Sequence, residues 1–335
     1  MTSCAKTRLW RGGCVIPDFK KDLYDATVEQ LEKHRIVYGK HDDLRTLLIK
    51  FYTFWEKYVT PVKRTVNYSE EIKQKQNQLP IEVQEAVCKM AEWVHDGIDI
   101  NCFQSRGLRG KGSRDYQNMM YGIIHLHLSA KKDDTLPVVK KDGFAKSGKY
   151  LLYASFTKDQ AYFIDVREHP KNDDSGKVEW TSRSLLEIVV HNWPDLRKMN
   201  IFKEAVLCDS DGNQISIDDN MIAQLAANHV NTMIPVKGGL YISSFGYMKS
   251  GDSASAAMKV DRIINEAVQA QITYEHYYDE VLSAFEKILK KFGRKIPQVY
   301  DIHYEYIGDL KNFAIIDRNS KIAWNFRKNL FYLLS

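Results

Sequence analysis

The sequence has no long uninterrupted apolar segment. No stretch approaches the roughly eighteen uncharged apolar residues that a membrane-spanning helix needs, so we expect none. The N-terminal run Met-Thr-Ser-Cys-Ala-Lys-Thr-Arg lacks the apolar stretch of a secretory signal. These two absences predict a cytoplasmic protein with no membrane partner.

Cysteine is scarce and scattered. The chain has five cysteines and no C-x-x-C pair, a pattern that argues against a disulfide framework and against a structural zinc site. Several signatures are also missing: the phosphate-binding G-x-x-x-x-G-K-[ST] loop, the G-x-S-x-G elbow and the H-E-x-x-H zinc motif. We therefore expect no cofactor and no bound metal.

The composition is that of a globular protein with a mild excess of positive charge. Of 335 residues 44% are apolar and 27% charged, and the net charge is +5. A chain of this length can bury a large core and form two or three domains. The basic balance is compatible with a polyanionic partner without requiring one.

Apolar periodicity predicts an α+β protein. Helical spacing predicts helices over about 18–34 and 43–59, and another that starts at Pro80. Alternation predicts strands over 121–129, 149–157 and 161–168. The predicted organisation has three parts: an N-terminal helical region over 1–104, a central antiparallel β-sheet domain over 105–197 and a C-terminal α/β region over 198–335.

The strand beginning at Tyr121 is the most informative segment. Its alternation places Tyr121, Ile123, His125 and His127 on one face, opposite an apolar back. Two neighbouring imidazoles are unusual on a strand whose only purpose is burial. This face is therefore a candidate site for chemistry.

A second strand, over 161–169, repeats the pattern. Its alternation puts Phe163, Asp165, Arg167 and His169 on one face and apolar residues on the other. If both polar faces lie on the same side of one sheet, three histidines, an arginine and an aspartate converge. These are the candidate catalytic residues: His125, His127, Asp165, Arg167 and His169.

This set matches the needs of RNA cleavage without a metal. That reaction uses a base for the 2′-hydroxyl proton, an acid for the leaving 5′-oxygen and a cation for the charge that grows on phosphorus. Histidine suits both proton roles and arginine suits the third. We expect His127 to be the base, His125 or His169 the acid and Arg167 the phosphate ligand, with Asp165 orienting a neighbour.

A cationic loop precedes the histidine strand. The segment 105–114 carries four cations, no acid and three glycines. We expect Arg106, Arg109, Lys111 and Arg114 to contact the phosphates of a nucleic acid, RNA rather than DNA. The alternative is a solvated loop that binds nothing.

Two metal-dependent alternatives use the same region. His125-Leu-His127 fits the histidine–hydrophobic–histidine pattern of single-strand DNA nickases, whose tyrosine nucleophile would come from Tyr274, Tyr277 or Tyr278. Asp165 with Glu168 matches only a fragment of the Asp…Glu-x-Lys nuclease pattern, because no Glu-x-Lys follows at a suitable spacing. The first alternative stays open, and the second is disfavoured.

A family resemblance covers residues 105–195. It is carried by Gly122-Ile-Ile-His-Leu-His-Leu128, by Leu151-Leu-Tyr-Ala-Ser155, by Ala161-Tyr-Phe-Ile-Asp165 and by the closing Asn192-Trp-Pro194. This segment resembles uncharacterised bacterial proteins associated with phage defence or toxicity, and its layout is similar to that of RelE-type ribonuclease toxins. The resemblance implies metal-free RNA cleavage by a toxin or antiviral effector, in a chain much longer than those compact toxins.

The sequence thus predicts a nucleic-acid-cleaving effector, most simply an endoribonuclease. The competing hypothesis is a non-catalytic sensor or adaptor that holds a polyanion or a protein on the same surface. A protein partner such as an antitoxin and assembly into a homo-oligomer both stay open.

Overall fold

A computed structural model describes residues 17–110, 115–170, 174–243, 245–307, 312–325 and 330–333. The chain divides into two compact units. One unit is continuous and spans Tyr52–Ala257, and the other joins Met1–Phe51 to Met258–Ser335.

The helices occupy both ends of the chain and punctuate its centre. They are α1 (Phe19–Lys33), α2 (Leu44–Lys57), α3 (Glu70–Lys75), α4 (Ile81–Asp96), α5 (Tyr116–Tyr121), α6 (Asp174–Thr181), α7 (Ser184–Asn192), α8 (Asp219–Ala227), α9 (Ala254–His276) and α10 (Tyr278–Lys291). No helix in the described part of the chain is long and apolar enough to cross a membrane.

The strands form three sheets. They are β1 (Thr65–Tyr68), β2 (Ile124–His127), β3 (Tyr150–Phe156), β4 (Gln160–Glu168), β5 (Ile201–Lys203), β6 (Ile234–Val236), β7 (Gly239–Tyr241), β8 (Ile302–Ile307), β9 (Asn312–Asp317), β10 (Ile322–Asn325) and β11 (Leu330–Leu333). Their orders are β1-β4-β3-β2, β5-β7-β6 and β11-β10-β9-β8. The protein is therefore a mixed α+β protein, as the sequence predicts.

The continuous unit is built on the sheet β1-β4-β3-β2, which has a core on each face. On one face Leu126, Leu152 and Phe163 pack with Val87 and other apolar residues of α4. On the other face a second cluster joins side chains of β3 and β4 to α5, α7 and α8. Its fully buried members include Tyr121, Ile123, Leu151, Ile164, Leu186, Val189 and Ile222. Two covered faces make this sheet the rigid frame of the unit.

The second unit contains the antiparallel meander β8 to β11. Phe19 at the start of α1 packs against Tyr274 of α9 and Tyr304 of β8, with ring centroids 5.7 and 5.5 Å apart. Asp22 on the same helix accepts a hydrogen bond from the backbone N–H of Tyr304 at 3.0 Å. The alternation over the terminal residues, which predicts a small meander, is confirmed.

The predicted long helices are confirmed with small shifts at their ends. The helix expected from Pro80 begins at Ile81, because Pro80 is its N-cap residue. The short connection Thr157-Lys-Asp-Gln160 between two predicted strands also predicts a hairpin, and this is confirmed, with Thr157 N–H donating to the Gln160 carbonyl at 2.9 Å. Both predictions rested on strong local signals: helical periodicity in one case and short turn chemistry in the other.

Three expectations about the strands are wrong. Tyr121 ends the short helix α5 instead of starting a strand, and Gly122 adopts a left-handed conformation (φ 64°) that turns the chain into β2. The central sheet is not wholly antiparallel, because Thr65–Tyr68 joins β4 in parallel. The segment expected as one strand over 233–244 is the hairpin β6–β7.

Candidate active site

The two polar strands lie in the same sheet with β3 between them. Residues directly opposite each other in neighbouring strands project to the same face. The register gives two rows across β2, β3 and β4, namely His125–Tyr153–Asp165 and His127–Leu151–Arg167. The histidines and the Asp165–Arg167 pair therefore share one face, and one strand separates them.

A β-bulge in β4 changes which side chains belong to that face. Tyr153 pairs with Asp165 while Ala154 pairs with Phe163, so Ile164 is an extra residue. Phe163 is buried in the core on the α4 side and Ile164 in the core on the α7 side. The prediction that Phe163 lies on the polar face is therefore wrong, whereas Asp165 and Arg167 keep their predicted side.

The three predicted histidines form one cluster around a tryptophan. The ring centroids of His125 and His127 lie 6.1 Å apart, and His169 stacks on His127 at 5.6 Å with an interplanar angle of 15°. Trp180 of α6 packs on His125 at 4.9 Å and on His169 at 5.6 Å. The structure thus places the three imidazoles in contact, whereas alternation in the sequence only made this contact a hypothesis.

Trp180 is held over the histidines by contacts from α5. The Tyr121 hydroxyl donates a hydrogen bond to the Thr181 carbonyl at 2.8 Å. The side-chain amide of Gln117 donates to the carbonyls of Glu179 and Ser182, at 3.4 Å each. The helix that interrupts the predicted strand therefore fixes the end of α6 and with it the indole.

His125 and His127 are buried, and burial lowers the pKa of each. Both side chains are 7% exposed. For His127 burial is the largest cause, the charges of His125 and His169 add to it, and a hydrogen bond to the Gly148 backbone opposes it; the result is a pKa of about 4. For His125 burial again dominates the lowered pKa, and the carboxylate of Asp115 acts in the opposite direction. Both rings are therefore neutral near pH 7.

His169 is the exposed member of the cluster. It follows β4 directly, and its backbone N–H donates to the Lys149 carbonyl at 2.7 Å. Its Nδ1 lies 2.8 Å from the Pro170 carbonyl, which fits a ring that donates its Nδ1 proton there. The other nitrogen then faces away from the backbone.

Asp165 is neutralised by two cations. Arg167 Nε donates to Asp165 Oδ2 at 2.7 Å, and the Lys75 ammonium pairs with Oδ1 of the same carboxylate. Arg167 Nη1 also donates to the Ser184 hydroxyl at 2.9 Å. One buried carboxylate thus orients the guanidinium, and the group as a whole carries one excess positive charge.

The described part of the cationic loop is folded against a neighbouring turn. Arg106 lies in a single 3-10 turn, and its Nε pairs with Asp142 Oδ2 at 2.8 Å. The Arg109 guanidinium lies 5.0 Å from the centroid of the Phe144 ring. Lys111 and Arg114 lie outside the described residues. The positive charge of Arg106 also contributes to the lowered pKa of His127, so this arginine stands near the cluster.

Sequence reasoning missed three residues of the site: Lys57, Asp115 and Trp180. Asp115 is the N-cap of α5, and its Oδ2 lies 3.6 Å from His125 Nδ1. Lys57, at the end of α2, is only 4% exposed. Asp is a preferred N-cap residue, so Asp115 could have been proposed as the start of a helix whose Asn118 N–H it accepts. No local sequence pattern indicates the positions of Lys57 and Trp180.

The tyrosines that would serve as nucleophiles in the nickase alternative lie in the other unit, not in the one that holds His125 and His127. Tyr274 is buried against Phe19, and Tyr277 is half exposed between α9 and α10. Within the ranges described, no group of three or more His, Cys, Asp or Glu side chains is arranged to hold a metal ion. The segment Asp209-Ser-Asp-Gly-Asn213 resembles the start of a calcium loop, but it has no glutamate at position twelve, so the sequence predicts a hairpin turn. The structure has a turn there, in which Asp209 accepts the backbone N–H groups of Asp211 and Asn213.

Comparisons with known proteins return nothing: no family model, no curated protein and no solved structure matches this chain. The resemblance to RelE-type toxins therefore stays a prediction. Any assignment of function rests on the chemistry of the histidine cluster.

Proposed function

We propose that the protein is a metal-independent endoribonuclease. The observation that carries this proposal is the cluster of His125, His127 and His169 around Trp180, on the same sheet face as Arg167. His125 and His127 are proton acceptors, His169 is an exposed imidazole and Arg167 is a cation fixed on the same sheet face. These are the groups that cleavage through the 2′-hydroxyl requires.

The geometry favours His125 as the general base over His127. His127 donates a hydrogen bond to the backbone of Gly148, and its Nδ1 is buried without a hydrogen-bond partner. Nδ1 of His125 likewise makes no hydrogen bond, but a carboxylate oxygen lies 3.6 Å from it, which favours a proton on Nδ1 and leaves Nε2 to accept the substrate's proton. The role that the sequence suggests for His127 thus passes to His125.

His169 fits the role of general acid. It is exposed, unlike the other two imidazoles, and so it can exchange protons with water between turnovers. A general acid must be protonated before the step, and an exposed imidazole meets that condition more readily than a buried one. The leaving 5′-oxygen would take its proton from His169.

Arg167 fits the role of phosphate ligand. Neighbouring strands lie about 4.8 Å apart, so two strand spacings, about 10 Å, separate the backbones of His127 and Arg167. Arg167 lies in the same row of the sheet as His127. Asp165 and Ser184 fix its orientation at 2.7 and 2.9 Å, and the excess charge that Lys75 adds favours an anion.

RNA is the proposed substrate class because the nucleophile is a 2′-hydroxyl, which DNA lacks. Arg106 and Arg109 would contact the phosphate backbone beside the cluster. We further propose that the protein works in the cytoplasm as a toxin or antiviral effector, with an antitoxin-like protein or a second copy of the chain as partner. The resemblance of residues 105–195 supports this context.

The test uses purified protein with total RNA and single-stranded DNA, each with and without EDTA. The variant His125→Ala/His127→Ala should lose turnover by at least about 100-fold while RNA binding persists. The matched control is His95→Ala/His191→Ala, since both of these histidines are exposed and lie away from the cluster. RNA cleavage that survives EDTA and disappears only in the first variant supports the proposal.

Two other outcomes would count against it. Cleavage that EDTA abolishes points to the histidine–hydrophobic–histidine metal site. Absence of cleavage points to a non-catalytic binding protein, a candidate favoured by the 7% exposure of His125 and His127. In that case, RNA affinity should fall when Arg106 and Arg109 are replaced by Ala.

A further inference from the structure

Asp115 stands at the junction of three elements of the candidate site. Its Oδ1 accepts the backbone N–H of Asn118 at 3.1 Å and so caps α5. Its Oδ2 lies 3.6 Å from Nδ1 of His125 on β2. The carboxylate is only 10% exposed, and it also acts on the buried ammonium of Lys57 at the end of α2.

The surroundings of His125 single out Asp115 as the group that favours a protonated ring. Trp180 of α6 and Tyr153 of β3 pack against the imidazole, with centroid distances of 4.9 and 6.5 Å. The charges of His169 and Lys57 oppose protonation, whereas the charge of Asp115 favours it. His125 Nδ1 is buried and makes no hydrogen bond, and Asp115 Oδ2 lies just beyond hydrogen-bond distance from it, at 3.6 Å.

Lys57 is the second buried group on which the charge of Asp115 acts. The ammonium is 4% exposed, and burial lowers its pKa while Asp115 acts more strongly than Glu56 to raise it. Opposite charges that are buried close together offset part of the free energy that each loses on leaving water. Lys57 and His125 thus share one counter-ion.

We propose that Asp115 is a positioning residue that holds His125 with its proton on Nδ1 and its lone pair on Nε2. The 3.6 Å separation of Oδ2 and Nδ1 supports this tautomer, while its catalytic meaning rests on the proposed function. A proton on Nδ1 faces the carboxylate, and the opposite nitrogen is then the only one that can accept a proton.

In the proposed reaction Nε2 of His125 takes the proton of the 2′-hydroxyl. The 2′-oxygen forms a bond to phosphorus, the bond from phosphorus to the 5′-oxygen breaks, and that oxygen takes a proton from His169. The products are a 2′,3′-cyclic phosphate and a free 5′-hydroxyl. Asp115 stabilises the imidazolium that His125 becomes during this step, without receiving its proton.

The variant Asp115→Asn tests this role while it keeps the helix cap, because Asn caps helices as well as Asp does. Asp218→Asn is the matched control, since Asp218 caps α8 by accepting the Met221 N–H at 2.8 Å. The readout is the pair of ¹⁵N imidazole shifts of His125 by NMR, followed through a pH titration.

In the wild type we expect the shifts of a protonated Nδ1 and an unprotonated Nε2. In Asp115→Asn the tautomers should mix and the apparent pKa of His125 should fall by about one unit or more. Asp218→Asn should leave both unchanged. A wild-type ring protonated on Nε2, or an unchanged ring in Asp115→Asn, would overturn the proposal.

A second variant, Lys57→Met, should change the apparent pKa of His125 in the opposite direction. Lys57→Met keeps the apolar stem and removes the charge that opposes protonation, so the apparent pKa of His125 should rise. A fall or no change would contradict the shared counter-ion. This variant keeps the proposal testable if Asp115→Asn does not fold.

The RNA assay separates this proposal from the proposed function. If wild type cleaves RNA, Asp115→Asn should lower kcat about 100-fold or more with a smaller effect on KM. If wild type cleaves no RNA while the NMR shifts are as expected, the function is wrong and the positioning role stands. Unaltered kcat in Asp115→Asn would show that the carboxylate has no catalytic importance.

Discussion

The buried histidines give this protein a pH-dependent stability that can be measured without knowing its substrate. His127 has a pKa of about 4 in the folded protein, mainly because burial disfavours its charged form. In the unfolded chain the same imidazole has a pKa near 6.5. Between about pH 4 and about pH 6.5, therefore, His127 is mostly protonated in the unfolded chain and mostly neutral in the folded protein.

The sign of the effect follows from this difference. The free energy of unfolding should decrease as the pH falls from about 6.5 to about 4, with a slope of up to about 1.4 kcal/mol per pH unit for one group. Outside that window His127 should contribute no slope. Urea unfolding of wild type and His127→Gln at half-unit steps from pH 4.5 to 7.5 measures the difference.

His191→Gln is the control for this prediction, since His191 is exposed at the end of α7. It should keep the wild-type slope, whereas His127→Gln should flatten it. The lowered pKa of His125 leaves a remaining slope in that variant. Parallel curves for wild type and His127→Gln would show that His127 titrates normally in the folded protein.

Single residues of the site differ in how far the sequence could identify them. Period-two alternation places His125 with His127, and Asp165 with Arg167, because a strand projects alternate side chains to one face. Lys57 and Trp180 could not be found in this way. They come from helices far along the chain, and their approach to His125 depends on packing that no local pattern encodes.

In the loop between β2 and β3, the backbone of Gly148 packs closely against the backbone of Leu128. A Cβ on Gly148 would lie 2.4 Å from the Leu128 carbonyl oxygen, which is closer than any side chain tolerates. The same glycine receives the hydrogen bond of the His127 imidazole on its backbone. Glycine at position 148 therefore allows the close packing at the end of the sheet and also places a backbone hydrogen-bond acceptor beside His127.

Gly148→Ala should destabilise the protein by about 1–3 kcal/mol, as overpacking against a fixed backbone does. Gly110→Ala is the matched control, since its Cβ would meet nothing closer than the Arg106 carbonyl at 3.4 Å. Urea midpoints of both variants test the difference. Equal midpoints would mean that the loop between β2 and β3 relaxes freely.

Helices and strands were predictable to different degrees. The helices α1, α2, α4 and α7 follow from apolar residues at helical spacing, a pattern that extends over several turns. Short elements are different: α5 has six residues, and its helical state depends on the Asp115 cap and on contacts to α6. The bulge at Ile164 was equally hidden, because an inserted residue leaves no trace in an otherwise regular alternation.

The whole molecule offers a test of where its folding units begin and end. The unit Tyr52–Ala257 contains a sheet with a core on each face. We expect a fragment of residues 52–257 to fold alone, with dispersed NMR spectra and a cooperative urea transition. Persistent ANS binding and a broad transition would contradict this.

The fragment 105–197 is the matched comparison, and it follows the domain boundary that the sequence predicts. It lacks β1 and α4, which supply one edge and one core of the central sheet. It also lacks α8, which covers part of the other face. We expect this fragment to bind ANS and to unfold without cooperativity, and a well-folded fragment would support the sequence-based boundary.

The strand β3 lies between the two halves of the candidate site and supplies Tyr153 and Leu151 to its rows. The buried apolar side chains of β3 can vary so long as they stay apolar. The length of β3 cannot vary, because a one-residue insertion would turn its own side chains beyond that point, such as Tyr153 or Leu151, to the opposite face. Evolution should therefore tolerate substitutions in β3 and reject insertions or deletions there. In homologous chains we expect β3 to keep its length while its apolar residues vary, and we expect β2 and β4 to keep the polar residues of the candidate site.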